Sequence, residues 1–291
     1  MARRKALRRL AARILGEDEA RRIWGRIEII GDIAVIRRPF DYPLEPLRRL
    51  AEALLGEFSH VKSVWCTATS VSGPYRIRGY IHLAGERRSE TIYKEHGCLF
   101  KLDIRRVYIS PRLSYEHMRI ARLVGKGEIV VNMFAGIGPF SIIIAKYSEA
   151  EKVFSIDISP DAYRYMVENI RLNKVEDRVV PLLGDAARIV EEKLRRTADR
   201  VIMPLQDLSY RYLPYALAAL RDRGYIHVYD FINAGPGEDP VEKLILKYDS
   251  RLEELGADAN LVYSRIVRTV GPRRYQVVLD YWIRSTSASD Y

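Results

Sequence analysis

The chain has no long uncharged apolar segment. An apolar run of about 18 residues, the length that a membrane-spanning helix needs, does not occur in the 291 residues. The N-terminus is basic, but neither a separate apolar stretch nor a small-residue cleavage site follows it, so we expect no secretory signal. Two cysteines, Cys66 and Cys98, are too few for a disulfide framework or a zinc site. These absences predict a cytoplasmic protein in a reducing compartment, with no membrane partner.

Histidine is also scarce, and it does not show the spacing of metal ligands. The five histidines are scattered: His60, His82, His96, His117 and His227. We therefore expect no metal site, and we interpret His227, within YIHVYDF, as a buried strand residue beside a cofactor. The composition, 48% apolar and 30% charged, excludes intrinsic disorder and collagen-like sequence. A folded chain of one large domain or two small ones remains.

Positive charge is what the chain has in excess. Lys and Arg total 48 against 38 Asp and Glu, a formal net charge of +10. The segment 3–13 is basic without any acid: it contains Arg3, Arg4, Lys5, Arg8, Arg9 and Arg13. Apolar residues recur within it at helical spacing, which predicts a basic amphipathic helix in a segment 1–24. Such a helix is either a solvated surface or a contact for a polyanion.

The first half of the chain has the pattern of a small α+β domain, which we place at 25–112. Its short alternating segments are typical of strands, and one segment has helical periodicity. The predicted strands are 27–37, 61–68, 75–82 and a hairpin of 90–99 with 102–109 around Gly97; the predicted helix is 46–55.

The second half, 113–291, alternates strand and helix patterns after a helix over 114–123. The predicted strands are 128–134, 152–157, 179–183, 200–205 and 225–232; the intervening helices include 142–147, 160–173, 188–194 and 213–220. This alternation predicts an α/β fold with a parallel sheet and helices on both faces. Two final strands, 261–270 and 275–282, have no helix between them, which predicts an antiparallel edge hairpin.

A glycine turn follows the first strand of the second half, in the segment Phe134-Ala-Gly-Ile-Gly-Pro139. Gly136 and Gly138 allow a ligand to approach the backbone closely. Asp157 ends the next strand, where a carboxylate can accept from both ribose hydroxyls of a nucleoside. The dinucleotide fingerprint G-x-G-x-x-G is broken because its last position is Ser141. A nucleoside without a pyrophosphate fits better, and S-adenosylmethionine is the predicted cofactor.

The predicted cofactor residues follow three strands in order. They are Phe134, Ala135, Gly136, Gly138, Asp157, Ile158, Asp185 and Ala186. The first four belong to the glycine turn, and the next two follow the second strand. Asp185 and Ala186 follow the third strand, where they are placed to contact the adenine.

The sequence resembles the archaeal tRNA (guanine-37-N1)-methyltransferase family, which includes relatives in wyosine-base synthesis. The resemblance extends over about 25–282 and is carried by several motifs: EIIGDIAVI, GPYRIRG, TIYKEHGCLFKLDIRRVYISPRLSYE, NMFAGIGPFS, ENIRLNKVEDRV, DRVIMPL and IHVYDF. It implies a Rossmann-like class I methyltransferase domain with an antiparallel C-terminal edge hairpin, preceded by the small α+β domain. It also implies S-adenosylmethionine as cofactor and the anticodon loop and stem of tRNA as partner. We expect a monomer.

The resemblance also implies catalytic roles. The general base of the family corresponds to Glu116, and the arginine that stabilises charge at guanine O6 corresponds to Arg76, with Arg78 as its near competitor. Tyr108 is expected to stack on or hydrogen-bond near the flipped base. Alternatives remain: Glu116 as an acid that complements a helix dipole, and Arg76 as a strand-surface residue.

Several positions depart from the family pattern. Asn132 stands where an Asp is common, Ser159 where an Asn is common, and His117 where an Arg follows the catalytic Glu. The family motif N-L-P is replaced by Pro204-Leu205-Gln206, so an amide that would position the target base is missing. Gln206 or Asp207 is expected to substitute for it. Tyr210 and Tyr212 are candidates for stacking on a base, with helix packing as the alternative.

The leading hypothesis is therefore methylation of N1 of guanine-37 in tRNA. The first alternative is a wyosine-pathway enzyme that methylates or aminocarboxypropylates the modified guanine at position 37. The second is a tRNA-binding protein without catalytic activity, motivated by the departure at residues 204–206. Because many family members carry a further N-terminal domain, the basic segment Arg3–Arg13 is a hypothetical partial replacement for it.

Overall fold

A computed structural model describes residues 2–23, 25, 27–68 and 79–286. The chain forms two compact units, Met1–Pro111 and Arg112–Tyr291. Arg76 and Arg78, the two candidates for the stabilising cation, lie outside the described residues. Within the described part, no helix is both long and apolar enough to cross a membrane.

The first unit contains two helices that precede a mixed sheet and a separate hairpin. Its elements are α1 (Ala2–Leu15), α2 (Glu17–Arg22), β1 (Ile27–Ile30), β2 (Ile33–Ile36), α3 (Leu44–Glu57), β3 (Ser63–Thr67), β4 (Tyr80–Gly85), β5 (Glu90–Glu95) and β6 (Cys98–Asp103). The sheet has the order β1-β2-β3-β4, and β5 pairs with β6. The pairing of β2 with β3 is parallel because α3 connects them.

The basic N-terminal helix is part of this unit. Leu7 and Ala11 of α1 are fully buried, in the same apolar cluster as Leu47 and Leu50 of α3. The sequence predicts a separate segment over 1–24. In the structure, the buried face of α1 packs into the core of the first unit. The exposed face carries Arg8 and other basic residues.

The strand boundaries in this unit differ from those expected. One strand over 27–37 is in fact a hairpin, because Gly31 adopts a left-handed φ of 59° and a Cβ there would collide with Thr91 and Ile92. Of the strand expected over 75–82, residues 75–78 lie outside the described residues, and β4 extends beyond the expected end, to Gly85. The turn at His96 and Gly97 is confirmed, but β6 follows it directly at 98–103 instead of 102–109.

The second unit alternates strands and helices. Its elements are α4 (Ser114–Leu123), β7 (Ile129–Asn132), α5 (Pro139–Tyr147), β8 (Lys152–Asp157), α6 (Pro160–Asn173), β9 (Val179–Leu183), α7 (Ala186–Ile189), β10 (Ala198–Met203), α8 (Ser209–Ala219), β11 (Leu220–Asn233), α9 (Pro240–Glu254), β12 (Ala257–Gly271) and β13 (Arg274–Thr286). Helix α9 is not among the elements expected from the sequence.

The sheet of the second unit has the order β12-β13-β11-β10-β7-β8-β9. Strands β11, β10, β7, β8 and β9 are parallel, whereas β13 and β12 form an antiparallel hairpin at the edge. The predicted class I methyltransferase fold is therefore confirmed. Because parallel strands end at the same edge of a sheet, the turns after β7, β8 and β9 lie side by side.

Candidate active site

The turn after β7 prepares the start of α5. Gly138 adopts a left-handed φ of 94° and is the N-cap of α5, and Pro139 occupies the first turn. A Cβ at Gly136 would meet no described heavy atom within 4 Å, so the space beside this backbone is open. Phe134 is partly buried here, and Ala135 donates its backbone N–H to Ile156 O on β8 at 2.8 Å. The turn thus combines a fixed backbone with room for a ligand.

Asp157 closes the same region from the end of β8. Its carboxylate accepts from Gly136 N at 2.7 Å and from Ser159 N at 2.9 Å. Burial raises the pKa of Asp157 above its ordinary value, although these two backbone hydrogen bonds lower it. Ser159 accepts from Ala162 N as the N-cap of α6, so the residue that departs from the family pattern still begins a helix. Ile158, which lies between Asp157 and Ser159 in the sequence, is 48% exposed.

Asp185 follows β9 and caps the short helix α7. Its Oδ1 accepts from Ala187 N at 3.0 Å and Arg188 N at 3.2 Å, and its Oδ2 accepts from the Tyr212 hydroxyl at 2.5 Å. Tyr212 also packs edge-on against Phe134, with ring centroids 5.2 Å apart. Ala186 is buried. Tyr212 therefore contacts two of the predicted cofactor residues.

Backbone hydrogen bonds join the three turns. Ala135 is tied to β8, and Gly184 N donates to Asp157 O at 3.0 Å. The structure thus brings together all the sequence-predicted cofactor residues at one edge of the sheet. Among the described residues, no cluster of His, Cys, Asp or Glu has the arrangement of a metal site.

Glu116 lies on α4 and is 1% exposed. Its Oε2 accepts from the Tyr229 hydroxyl at 2.8 Å and from Arg119 Nε at 2.9 Å. Its Oε1 has no hydrogen-bond partner among the described residues, and Arg265 Nε lies 3.5 Å from it. One oxygen is thus anchored while the other keeps its acceptor capacity. A substrate reaches that oxygen only if the side chains that cover it move.

Arg119 links Glu116 to a longer buried network. Its Nη1 donates to Asp280 Oδ2 at 2.5 Å, and its Nη2 donates to Asp280 Oδ1 at 3.3 Å. Asp280 in turn lies 2.7 Å from Nδ1 of His227. The expectation that His227 is a buried strand residue is met, since it is 1% exposed on β11.

The network was not predicted because its members are far apart in the sequence. Arg119 and Asp280 are separated by 161 residues, and Glu116 and Tyr229 by 113. A signal was present, however: Arg200, His227 and Asp280 are polar residues inside apolar strand patterns. Such residues are buried only with partners, so they mark a polar cluster without identifying its pairs.

Tyr108 lies in the first unit and is 41% exposed. Its hydroxyphenyl ring is therefore accessible to solvent in that unit. Arg76, its companion in the predicted catalytic set, lies outside the described residues.

The loop after β10 does not offer the missing amide. Gln206 is buried, and its Nε2 donates to Pro204 O at 3.1 Å. Asp207 has a left-handed φ of 73°, and its carboxylate pairs with Arg274 at 3.3 Å. Its backbone N–H donates to Asp230 Oδ1 at 3.0 Å. The substitution by Gln206 or Asp207 stays a prediction, since these contacts are all made within the protein.

Comparison with known families gives two matches. The family model described as the TRM5/TYW2 methyltransferase domain matches residues 91–253, more than half of the chain. The model described as the TYW2 N-terminal domain matches residues 7–88. The two matched ranges together follow the chain from α1 to α9.

Three curated relatives cover most of the chain. The tRNA 4-demethylwyosine(37)-methyltransferase Taw21 of Saccharolobus solfataricus is 44% identical over 89% of this chain and 94% of its own length. The tRNA (guanine(37)-N(1))-methyltransferase Trm5b of Pyrococcus abyssi is 40% identical over 87% and 73%. A tRNA(Phe) (4-demethylwyosine(37)-C(7)) aminocarboxypropyltransferase of Pyrococcus horikoshii is 30% identical over 94% and 95%.

Solved structures agree with this pattern. The complex of aTrm5 with tRNALeu has a TM-score of 0.82 at 32% identity and covers 95% of this chain and 78% of that chain. The structure of M. jannaschii TYW2 with AdoMet has a TM-score of 0.66 at 29% identity and covers 89% and 100%.

Proposed function

The chain belongs to the TRM5/TYW2 methyltransferase family, and we propose that it methylates the nucleobase at position 37 of tRNA. S-adenosylmethionine is its cofactor, as in this family. When bound, it supplies an electrophilic sulfonium methyl group. The partner is tRNA, as in the related complex. The observation that carries the proposal is Glu116, a buried carboxylate with one anchored oxygen and one that still lacks a hydrogen-bond partner among the described residues.

The residues present fit this cofactor. The open space beside Gly136 leaves room for a nucleoside against the backbone. Asp157 accepts hydrogen bonds from the backbone N–H groups of Gly136 and Ser159, and burial nevertheless raises its pKa, because these two bonds do not fully compensate the buried charge. Ribose hydroxyls would donate the additional hydrogen bonds that compensate the charge of Asp157. Asp185, held by Tyr212, would orient the adenine side of the site together with Ala186.

Glu116 is proposed as the general base. Methylation of a ring atom that carries hydrogen requires that a proton leaves as the methyl arrives. Oε1 can accept this proton, while Tyr229 and Arg119 keep Oε2 in place. By resemblance, Arg76 stabilises negative charge that develops at guanine O6, and Tyr108 contacts the flipped base. Loss of methyl transfer in Arg76→Ala at unchanged cofactor affinity would support the role of Arg76.

Two substrates are candidates, and 4-demethylwyosine has the stronger support. The Taw21 relative matches over nearly its whole length, and residues 7–88 match the TYW2 N-terminal domain. The base is tricyclic, and its third ring occupies N1 and N2 of the parent guanine. That ring removes the N1–H and the amino hydrogens, which are the donors to the oxygen of an amide at position 204. Pro204 and the inward-folded Gln206 are therefore compatible with a tricyclic base.

N1 of unmodified guanine-37 is the second candidate. Relatives named Trm5b support it, at 40% and 36% identity. Glu116 and Arg76 would serve it as base and stabilising cation. This substrate presents a free N1–H and amino group, so a side chain other than an amide at 204 would have to recognise its edge.

One assay tests both substrates. The protein is incubated with methyl-labelled S-adenosylmethionine and tRNA carrying guanine, inosine or 4-demethylwyosine at position 37, and the nucleosides are analysed by mass spectrometry. A methyl group only on the tricyclic base supports the first candidate, and a methyl on guanine N1 supports the second. An aminocarboxypropyl adduct would instead assign the other wyosine-pathway reaction. Cofactor binding without any transfer would contradict catalysis.

A further inference from the structure

A network of buried ionisable side chains crosses the second unit and ends at Glu116. Arg200 donates to both oxygens of Glu128, at 2.7 and 3.0 Å, and its Nη1 lies 2.7 Å from His227 Nε2. From His227 the network continues to Asp280, then to Arg119 and from Arg119 to Glu116. The side chains of Arg200, His227, Asp280 and Glu116 are each at most 2% exposed.

The direction of the hydrogen bonds follows from Arg200. A guanidinium only donates, so Nε2 of His227 accepts and the ring proton resides on Nδ1, which faces Asp280. Burial lowers the pKa of His227, which keeps the ring neutral. Asp280 then lies 2.7 Å from Nδ1 of His227 on one side and accepts from Arg119 on the other. This arrangement fixes both the position and the charge of Asp280.

Arg119 is shared between two carboxylates. Its Nε faces Glu116, and its Nη atoms face Asp280. Three groups of the described structure face the Glu116 carboxylate: Arg119 on α4, the Tyr229 hydroxyl on β11 and Arg265 on β12. Asp280 on β13 does not contact Glu116 and acts on it through Arg119, because the negative charge of Asp280 offsets part of the field of Arg119.

We propose that Arg119 and Asp280 are a positioning pair that sets the basicity of Glu116. Arg119 places its positive charge against the Glu116 carboxylate, and the negative charge of Asp280 on the other side of the same guanidinium offsets part of it. His227, Arg200 and Glu128 keep Asp280 in place. The inference rests on the proposed function, because it concerns Glu116 as the proton acceptor.

The two members of the pair predict opposite pH effects. In Asp280→Asn, the charge of Arg119 is no longer shared, so Glu116 becomes more acidic. In the plot of single-turnover methyl-transfer rate against pH, the acid limb, where the rate rises with pH, then moves to lower pH. The plateau rate falls because a weaker base accepts the proton. In Arg119→Met, Glu116 loses its nearest cation and the acid limb moves to higher pH. Each shift is expected to be roughly one pH unit.

The experiment measures single-turnover methyl transfer against pH, with saturating cofactor and the tRNA that the wild-type protein methylates. The matched controls are Asp249→Asn, which removes the charge of a carboxylate that accepts from the Tyr281 hydroxyl at 2.6 Å, and Arg178→Met, which loses bonds to Ala145 O and Ser148 O. Neither control faces Glu116, so their acid limbs should coincide with the wild-type limb. Cofactor affinity, measured by calorimetry, should be unchanged in all four variants.

Tyr229→Phe provides a second variant that keeps the shape of the core. It removes a neutral donor to Oε2, so its acid limb should move to higher pH by less than that of Arg119→Met. If Arg119→Met does not fold, Tyr229→Phe and Asp280→Asn still predict opposite shifts. Shifts in one direction, or unmoved limbs with a reduced plateau, overturn the pair and leave it with a purely structural role. A wild-type protein that transfers no methyl group overturns the proposed function and this inference together.

Discussion

The hydroxyl of Tyr229 on β11 donates a 2.8 Å hydrogen bond to Oε2 of Glu116 on α4. Burial, followed by the charge of Glu116, holds the pKa of Tyr229 well above its ordinary value, so the phenol stays protonated. A neutral donor with a fixed position can orient a carboxylate without competing for its negative charge. This contact gives Glu116 a fixed orientation in addition to its place in the first turn of α4, where an acid also complements the helix dipole.

Replacement of Glu116 by Gln removes the proton acceptor and keeps the side-chain shape. We expect the single-turnover rate of methyl transfer to fall by about 10²-fold or more, because general-base catalysis contributes that much. Cofactor affinity should stay within twofold, since Glu116 is on α4 and not in the turns after β7, β8 and β9. Glu254→Gln, which alters an exposed ion pair with Arg251, is the control. Parallel loss of rate and cofactor affinity would indicate a structural role.

Replacement of Asp157 by Asn should weaken cofactor binding. The amide keeps the size of the carboxylate, but it loses the charge that strengthens hydrogen bonds from ribose hydroxyls. We expect Kd for S-adenosylmethionine to rise by roughly 10- to 100-fold, since hydrogen bonds to a charged group contribute about 1.5–3 kcal/mol. Calorimetry measures this change, and Asp161→Asn on α6 serves as the control. An unchanged Kd would remove Asp157 from the binding site.

The ion pair of Arg200 with Glu128 should matter for stability. Arg200 is 2% exposed, so Glu128→Ala leaves a buried cation without its carboxylate. We expect the free energy of unfolding to fall by roughly 3 kcal/mol, the lower end for breaking a buried pair. Urea unfolding measures it. Asp222→Ala breaks the exposed pair with Arg196 and should cost less than about 1 kcal/mol. If both variants lose the same free energy of unfolding, burial of the Arg200 side chain does not strengthen its ion pair with Glu128.

Asp280 should also contribute to acid stability. Burial raises the pKa of Asp280, but His227 and Arg119 outweigh this effect and hold the pKa below its ordinary value. A carboxyl whose folded pKa is depressed stabilises the protein above its unfolded pKa of about 3.9 and loses that stabilisation as pH falls through the folded value. The free energy of unfolding should therefore decline less below about pH 4 in Asp280→Asn than in the wild-type protein. Urea titrations between pH 3 and 6 compare the two slopes. Identical slopes would show that Asp280 ionises normally.

The exposed face of α1 is expected to contact tRNA. Truncation of this helix would remove the buried residues Leu7 and Ala11, so charge removal is the cleaner test. In Arg8→Gln/Arg9→Gln, tRNA affinity should fall and the salt slope should decrease by up to about 2, because each lost phosphate contact removes about 0.9. Arg196→Gln/Arg221→Gln changes the net charge equally at another surface. If both pairs weaken binding alike, net charge and not α1 is responsible.

Local patterns predicted a large part of the fold. Strand β8 and helix α6 match their expected bounds, because apolar spacing and the Ser159-Pro160 start are signals within a few residues. Asp157 and Asp185 were identified because strand ends in a parallel sheet share one edge. The bend at Gly31 was not predicted, because the steric reason for it lies with Thr91 and Ile92, some 60 residues further along the chain.

The alternating architecture, the glycine turn and the placement of Glu116 in the first turn of a helix all follow from local sequence patterns. Each depends on residues that are close along the chain, so composition and periodicity suffice. Only the tertiary structure decided the partners of Glu116. Tyr229 and Arg265 come from β11 and β12, and Asp280, which is linked to Glu116 through Arg119, comes from β13. The order of these strands in the sheet brings all three towards α4. The physical reason is that a buried charge is compensated by whichever side chains the fold brings within a few ångströms, and sequence separation does not encode that distance.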